Sequence, residues 1–367
     1  MKNARYIGIM SGTSMDAIDC VICEFDDDGC HIIAAHSFTY PKAIKQQIRA
    51  IFADNNRLSL SQFGQLDQEL AARYGDCVNT LLEQQNIKAE DIAAIGCHGQ
   101  TIYHAPNETR PFSIQLGNGH RLAAMTGIAT ITDFRMSDMC HGGQGAPLVP
   151  AFHQAFFADR HKRRIICNIG GIANISILDP NGSYSGFDTG PGNTLVDQWI
   201  NLHQQKPFDE NGRWAEGGKI IKPLLSDMLD DPYFKRLPPK STGLDYFNQS
   251  WLRVFLTQNH DLQDVQATLL ELTAISIASA INAASTSRDE IYLCGGGTNN
   301  NRLIERLSHH LECQNINPST QLGIDTQWVE ASCFAWLAKN HISAKPTAFM
   351  KVTGANKNTI AGVLYRP

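Results

Sequence analysis

The sequence predicts an α/β protein made of two like-built domains, and three observations carry that expectation. A strand, a small hydroxylated turn and a returning strand read along residues 6–10, Ser11-Gly-Thr-Ser14 and residues 18–25. The same order returns at residues 164–169, Gly170-Gly-Ile-Ala-Asn174 and residues 175–178. A third glycine turn, Cys294-Gly-Gly-Gly-Thr-Asn-Asn300, follows a strand at residues 290–293. Val, Ile, Cys and Phe favour strands, and small residues let backbone N–H groups approach an anion. A chain of 367 residues exceeds one core and suits two domains.

Composition narrows the class. At 43% hydrophobic and 18% charged the chain is globular, and a net charge of −5 argues against nucleic acid or an anionic membrane as partner. The N-terminal apolar run is broken by Ser11, so no export signal is read, and no stretch is read as the roughly 18 apolar residues of a membrane span. The expected location is the cytoplasm. Cys20 and Cys23 lie three apart in a strand, on opposite faces, which favours packing over metal or redox chemistry.

Along the chain, a strand at 31–40 precedes a helix from Pro41 to Phe52. Apolar residues at three- and four-residue spacing from Phe63 to Leu81 predict a long helix, capped by Ser59 or Ser61. A strand at 92–97 carries His98-Gly-Gln-Thr101 at its C-terminal end, where α/β sheets place ligand groups. Short strands at 113–116 and 129–132 flank a helix at 119–126. Asp133-Phe-Arg-Met-Ser-Asp138 and the glycine-rich turn 142–147 precede a helix at 148–158. Further helices are predicted after Asn193 as cap, at 215–229 with a break near Pro223, at 262–285, 301–310 and 326–340, and a closing strand at 359–365. Residues 237–243 read as a loop. The expected domains are 1–130 plus 345–367, and 131–344.

Three glycine turns in two α/β halves resemble the superfamily of actin, hexokinase and the heat-shock chaperone ATPases. The closer resemblance is to the anhydro-N-acetylmuramic acid kinase family of bacterial cell-wall recycling. Its carriers are Gly8-Ile-Met-Ser-Gly-Thr-Ser-Met-Asp-Ala-Ile-Asp19, His98-Gly-Gln-Thr101, Thr132-Asp-Phe-Arg135, Gly142-Gly-Gln-Gly-Ala-Pro-Leu148, Asn168-Ile-Gly-Gly-Ile-Ala-Asn174, Phe187-Asp-Thr-Gly-Pro-Gly-Asn193 and Cys294-Gly-Gly-Gly-Thr-Asn-Asn300, in order over nearly the whole chain. The resemblance implies two actin-like (ribonuclease H-like) ATPase domains facing each other across a nucleotide and sugar cleft and closing over both ligands. Ala17 stands where the family usually has Gly; a negative φ there would accommodate its methyl group.

The implied chemistry couples two events. Water attacks C1 of the 1,6-anhydro sugar, O6 departs, and O6 takes the γ-phosphoryl group of ATP. The resemblance makes Asp188 the base for the water and sets Glu330 near sugar and water. It gives phosphate binding to Gly12, Thr13, Ser14, Met15, Asp16, Ala17, Ile18, Asp19, Gly170, Gly171 and Asn174, and adenosine to Gly295, Gly296 and Gly297. His98, Asp133, Arg135, Thr189 and Gly190 are expected at the sugar, Arg135 as the fork for the lactyl carboxylate. Asp16 or Asp19 would hold Mg²⁺, in part through water. Plainer readings stand beside these: an Asx-turn for Asp188, turn caps for Asp16 and Asp19, an ion pair of Arg135 with Asp133 or Asp138, a structural His98, and the helix dipole for Glu330.

Two other functions fit the motifs: an ordinary sugar kinase acting on a free hydroxyl, and an actin-like ATP-binding protein whose work is conformational. The apolar helix near residues 148–157 could serve a homodimer or simply pack in the core.

Overall fold

The computed structural model describes every residue except 1–3, 13, 14, 28, 54–56, 245, 258, 287 and 313–315, and the backbone alone at 53. In chain order its elements are β1 (Arg5–Met10), β2 (Ala17–Phe25), β3 (Cys30–Thr39), α1 (Lys42–Ala53), α2 (Leu60–Gln85), β4 (Ile92–Cys97), β5 (Gln100–Ala105), β6 (Phe112–Leu116), α3 (Gly119–Thr126), β7 (Thr130–Thr132), α4 (Phe134–Met139), α5 (Val149–Phe156), β8 (Arg164–Ile169), β9 (Ile172–Leu178), β10 (Tyr184–Pro191), α6 (Thr194–Gln204), α7 (Arg213–Glu216), α8 (Lys222–Leu229), α9 (Pro232–Lys235), α10 (Gln249–Arg253), α11 (Leu262–Ala284), β11 (Glu290–Cys294), α12 (Asn301–His310), β12 (Ile316–Pro318), α13 (Val329–Ile342), α14 (Met350–Thr353) and β13 (Val363–Tyr365).

The chain forms two compact units, Met1–Phe152 with Trp328–Pro367, and His153–Gln327. The sequence boundaries at 130 and 345 differ from these. Residues 131–152 and 328–344 go with the first unit because β7 pairs with β4 and β13, and α13 packs on β1, β2 and β4. Those contacts join segments far apart in sequence.

The first unit holds a sheet of order β13-β7-β4-β1-β2-β3, with β1 parallel to β4 and antiparallel to β2. Ile7, Ile9, Ile18, Cys20 and Ile22 face a core completed by Leu66, Leu70, Tyr74 and Val78 of α2. The capping box at the start of α2 uses Ser59: its hydroxyl accepts the Gln62 N–H at 3.2 Å and Gln62 Oε1 accepts the Ser59 N–H at 2.9 Å. Caps of this kind contribute about 1 kcal/mol. The opposite face is covered by α13, which approaches the strands at two glycines. A Cβ at Gly8 would overlap the Ala331 carbonyl, and one at Gly96 the Phe334 carbonyl. Cys20 and Cys23 do point to opposite faces; the Cys23 thiol donates to Ser332 Oγ of α13 at 3.7 Å.

The second unit holds a sheet of order β10-β9-β8-β11-β12, with β8–β9–β10 antiparallel and β11 parallel to both β8 and β12. β13 aside, both sheets follow one plan: a three-strand meander whose first strand is central, then two parallel strands beyond it. Ile165, Cys167, Ile175 and Ile291 pack against Leu269, Leu272 and Ile277 of α11. Contrary to the sequence reading, α11 is long and apolar enough to cross a membrane, but most of it is buried in this core. Pro223 starts α8 rather than breaking a longer helix, and Asn193 precedes α6 without a side-chain capping bond. In α5, Val149, Ala151 and Phe152 are buried within the chain, Phe152 against Trp336, so that face is core.

Candidate active site

In the first unit the sequence-predicted groups gather at the C-terminal ends of parallel strands, the usual ligand edge of an α/β sheet. The turn after β1 closes with Met15 N–H donating to the Gly12 carbonyl at 3.0 Å. Met15 takes a φ of +54° and buries its side chain in the core, so it anchors the turn from below. Thr13 and Ser14 lie outside the described residues. Ala17 is the first residue of β2, paired with Thr39 and outside the positive-φ positions, so its methyl group meets no backbone conflict. Ile18 is core.

The two aspartates of this segment diverge. Asp16 is exposed and pairs with Lys45 of α1 at 2.8 Å. Asp19 is half-buried on β2, and by strand alternation it shares the α13 face of the sheet with Cys23. Among the described residues no three His, Cys, Asp or Glu side chains cluster as a metal site. Mg²⁺ held beside substrate phosphates takes one or two carboxylates and waters from the protein side. Asp16 and Asp19 are the carboxylates this segment carries for such a donor set.

His98 follows β4 and is tied to β1 by its N–H donating to the Ile9 carbonyl at 3.0 Å. It is 4% exposed. Its Nδ1 lies 2.7 Å from the Gly99 carbonyl and so carries the proton, leaving Nε2 as an acceptor. Arg135 donates to that Nε2 from Nε and Nη2, and to the Gly145 carbonyl from Nη1 at 2.7 Å. Burial first, then the Arg135 charge, push the imidazole well below its ordinary range. His98 is thus a neutral support for Arg135, and its ring donor is already used. Asp138 feels the Arg135 charge and accepts the Gly145 N–H at 2.8 Å and the Thr353 hydroxyl at 2.7 Å. Asp133 takes a φ of +57° before α4, and burial pushes its carboxyl up. Glu330 lies half-buried in the first turn of α13.

In the second unit, the register sets Asp188 opposite Asn174, Asn174 opposite Asn168, and Asn168 opposite Cys294. Opposed residues share a face, so the four form one row across β10, β9, β8 and β11, on the face away from Ile165 and Cys167. Asn168 opens a motif quoted from the sequence, which gives it no role there; the pairing sets it in this row. Its Oδ1 accepts the Cys294 thiol at 3.7 Å.

Asp188 is 5% exposed. β10 is an edge strand, and its outer backbone groups at Asp188 are covered: the N–H donates to the Lys240 carbonyl at 3.1 Å and the carbonyl accepts the Tyr233 hydroxyl at 2.7 Å. The carboxylate Oδ2 accepts the Thr242 N–H at 3.0 Å. Beside it, Asn174 Oδ1 and Thr242 Oγ1 are buried with no partner. An unmet buried polar atom costs about 1–3 kcal/mol, so these two suit a ligand that brings donors.

Thr189 and Gly190 serve the backbone. The Thr189 hydroxyl donates to the Ala173 carbonyl at 3.2 Å. Gly190, at φ +153°, forms the irregularity after Asp188 and lies against the Phe234 ring. The Gly170 and Gly171 carbonyls accept N–H groups of Gly192, Asn193 and Thr194, which locks the turn to the start of α6. Of the third glycine turn, Gly295 and Gly297 press on Asn168 and Ile169, while a side chain at Gly296 would meet open space.

Residues 4–367 match the family model described as anhydro-N-acetylmuramic acid kinase. The chain belongs to that family. It is a kinase of the sugar-phosphotransfer kind, and its two α/β units are actin-like ATPase domains. Solved structures similar to this kinase include the activator of the 2-hydroxyisocaproyl-CoA dehydratase from Clostridium difficile with bound ADPNP. That match has 14% identity, a TM-score of 0.46, and covers 93% of this chain and 96% of that one. Component A of the (R)-2-hydroxyglutaryl-CoA dehydratase of Acidaminococcus fermentans matches at 16% identity and a TM-score of 0.48, over 90% and 96%. A ROK family glucokinase from Streptomyces griseus matches at 12% identity and a TM-score of 0.39, over 92% and 100%.

Proposed function

We propose that this kinase opens the 1,6-anhydro ring of 1,6-anhydro-N-acetylmuramic acid and phosphorylates O6 in one event, giving N-acetylmuramic acid 6-phosphate in cytoplasmic peptidoglycan recycling. Asp188 removes a proton from water as the water oxygen bonds to C1. The C1–O6 bond breaks, O6 bonds to the γ-phosphorus of ATP, and the bond from that phosphorus to the bridging oxygen breaks to release ADP. The proton stays on Asp188 until product leaves.

The carrying observation, beside family membership, is the setting of Asp188. Its carboxylate is buried, fixed by the Thr242 N–H, and flanked by the unpaired Asn174 Oδ1 and Thr242 Oγ1. An Asx-turn carboxylate would bond within its own turn; this one is held by a residue 54 positions away. Arg135, presented by His98, receives the lactyl carboxylate, and Glu330 lies toward sugar and water. The turn around Gly12 and the Gly170-Gly171 turn take the phosphates, and Gly296 meets the adenosine. Mg²⁺, when bound with the nucleotide, neutralises phosphate charge, and Asp16 or Asp19 is the residue that would hold it, through water.

The test is turnover of the anhydro sugar with Mg-ATP in heavy-oxygen water. Label at C1 of a 6-phosphorylated reducing sugar is the expected product. Phosphorylation only of sugars with a free hydroxyl would assign an ordinary sugar kinase, and ATP binding without any turnover would overturn the enzymatic reading.

A further inference from the structure

Lys240 is one of the few lysines withdrawn from water: it is 9% exposed. Its ammonium stands 4.7 Å from the Tyr233 ring centre and 5.8 Å from that of Phe187. Its hydrogen bond among the described residues is to the Tyr233 carbonyl, at 3.3 Å. Three donors with one long bond and two ring faces leave much of the lost hydration uncompensated. A buried ammonium persists where a counter-charge is near. Lys240 sits in the loop that straps Asp188: its carbonyl takes the Asp188 N–H, and two residues on, Thr242 gives its N–H to the carboxylate.

We infer that Lys240 is a positioning residue that acts through Asp188, its ammonium keeping the buried carboxylate ionised while the Thr242 N–H fixes the carboxylate's direction and the Tyr233 hydroxyl holds the Asp188 backbone. The loop read from sequence as a mere connection is then part of the catalytic apparatus. This rests on Asp188 being the base, as proposed above.

The surrounding charges agree. Burial pulls the Lys240 ammonium below the usual lysine range, the Asp188 charge opposes that pull, and Arg236 adds to it. The Tyr233 hydroxyl is pushed up by burial and by Asp188, so it stays a neutral donor. Tyr246 is engaged with Asp231 at 2.8 Å. On α11, Glu271 is held by Arg306 and His310 of α12. Of the two cations on α9 and its following loop that face this cluster, Arg236 is exposed and acts on Lys240 and Tyr233, and only Lys240 is buried and coupled to Asp188.

The test is carbon NMR of the full chain labelled at aspartate carboxyls, with the Asp188 signal assigned by its loss in Asp188→Asn. Relative to the native protein, Lys240→Met should raise the Asp188 titration midpoint by about one pH unit or more, and Lys240→Arg should keep it near native. The acid limb of kcat/KM should move with it, with KM for ATP little changed. By reciprocity, in the chain labelled at lysine Cε, Asp188→Asn should lower the Lys240 midpoint by the same amount, a readout that remains should Lys240→Met fail to fold. An unmoved Asp188 midpoint, an unmoved Lys240 midpoint in Asp188→Asn, or an equal loss of activity at every pH would overturn the inference. Both NMR arms need no substrate, so failure to turn over the anhydro sugar would count against the proposed function alone.

Discussion

Arg135 gives two N–H donors to a single atom of His98, Nε2, at 3.1 and 2.9 Å. That atom can accept only while unprotonated, and burial keeps it so. Arg135→Ala should raise KM for the anhydro-muramic sugar by about 10- to 150-fold, the worth of a charge-assisted bond of about 1.5–3 kcal/mol. His98→Ala should raise KM less, by about three- to tenfold, since Arg135 keeps its hold on Gly145. An anhydro sugar without the lactyl carboxylate should be insensitive to both changes. Equal loss with the two sugars would refute a carboxylate-binding Arg135.

Asp188→Asn preserves shape and the Thr242 contact but removes the base. Turnover should fall by at least about a hundredfold while calorimetric affinity for ATP stays within about twofold. A variant that keeps native turnover would discard the assignment.

At Gly8 and Gly96 the α13 backbone comes so near the sheet that a Cβ would overlap it. Either residue changed to Ala should lower stability by about 1–3 kcal/mol, read as a lower urea midpoint with unchanged slope. An unchanged midpoint would mean that α13 can lift without cost.

Acid should destabilise this protein through its buried histidines. Burial pushes His104 and His153 down to about 3, and His98 well below the ordinary range. Unfolded, each titrates near about 6.5, so below that pH the unfolded chain binds protons that the folded chain refuses. The stabilisation is complete above that value and is lost as pH falls toward 3, at up to about 1.4 kcal/mol per pH unit for each histidine. His153→Gln, which can keep the contact to Ser176, should flatten the slope of urea stability between pH 6.5 and 5 by one proton.

Ala17→Gly tests the departure from the family pattern. Because Ala17 lies in β2, the change should cost about 0.5–1 kcal/mol of stability and leave ATP affinity unaltered. Tighter ATP binding would show that the methyl group matters.

The two hairpins and the third glycine turn were legible because strand, turn and strand are local signals. The long helix α2 was legible from its spacing, and even its Ser59 cap was among those named. What escaped depends on contacts between distant segments. Lys240 reads as an ordinary lysine between Pro239 and Ser241, and nothing local announces its burial. Asn168 gains its place only when β9 and β11 flank it. For His98 both a donor to substrate and a structural role stayed open, because a lone histidine does not disclose which nitrogen Arg135 will occupy. The compact units divide at other residues than the sequence boundaries for the same reason: α13 follows the second unit in sequence but packs in the first.

That last placement has a consequence for biosynthesis. When a ribosome has made β1 to β7, the sheet they form has one apolar face without α13 and one edge without β13. The whole of His153–Gln327 must emerge before those pieces arrive. The second unit is continuous and can finish first, while the earlier-made half waits with Gly8 and Gly96 bare. During that interval the nascent chain offers an open strand edge at β7, so its need for chaperone protection should end only as residues 329–365 appear.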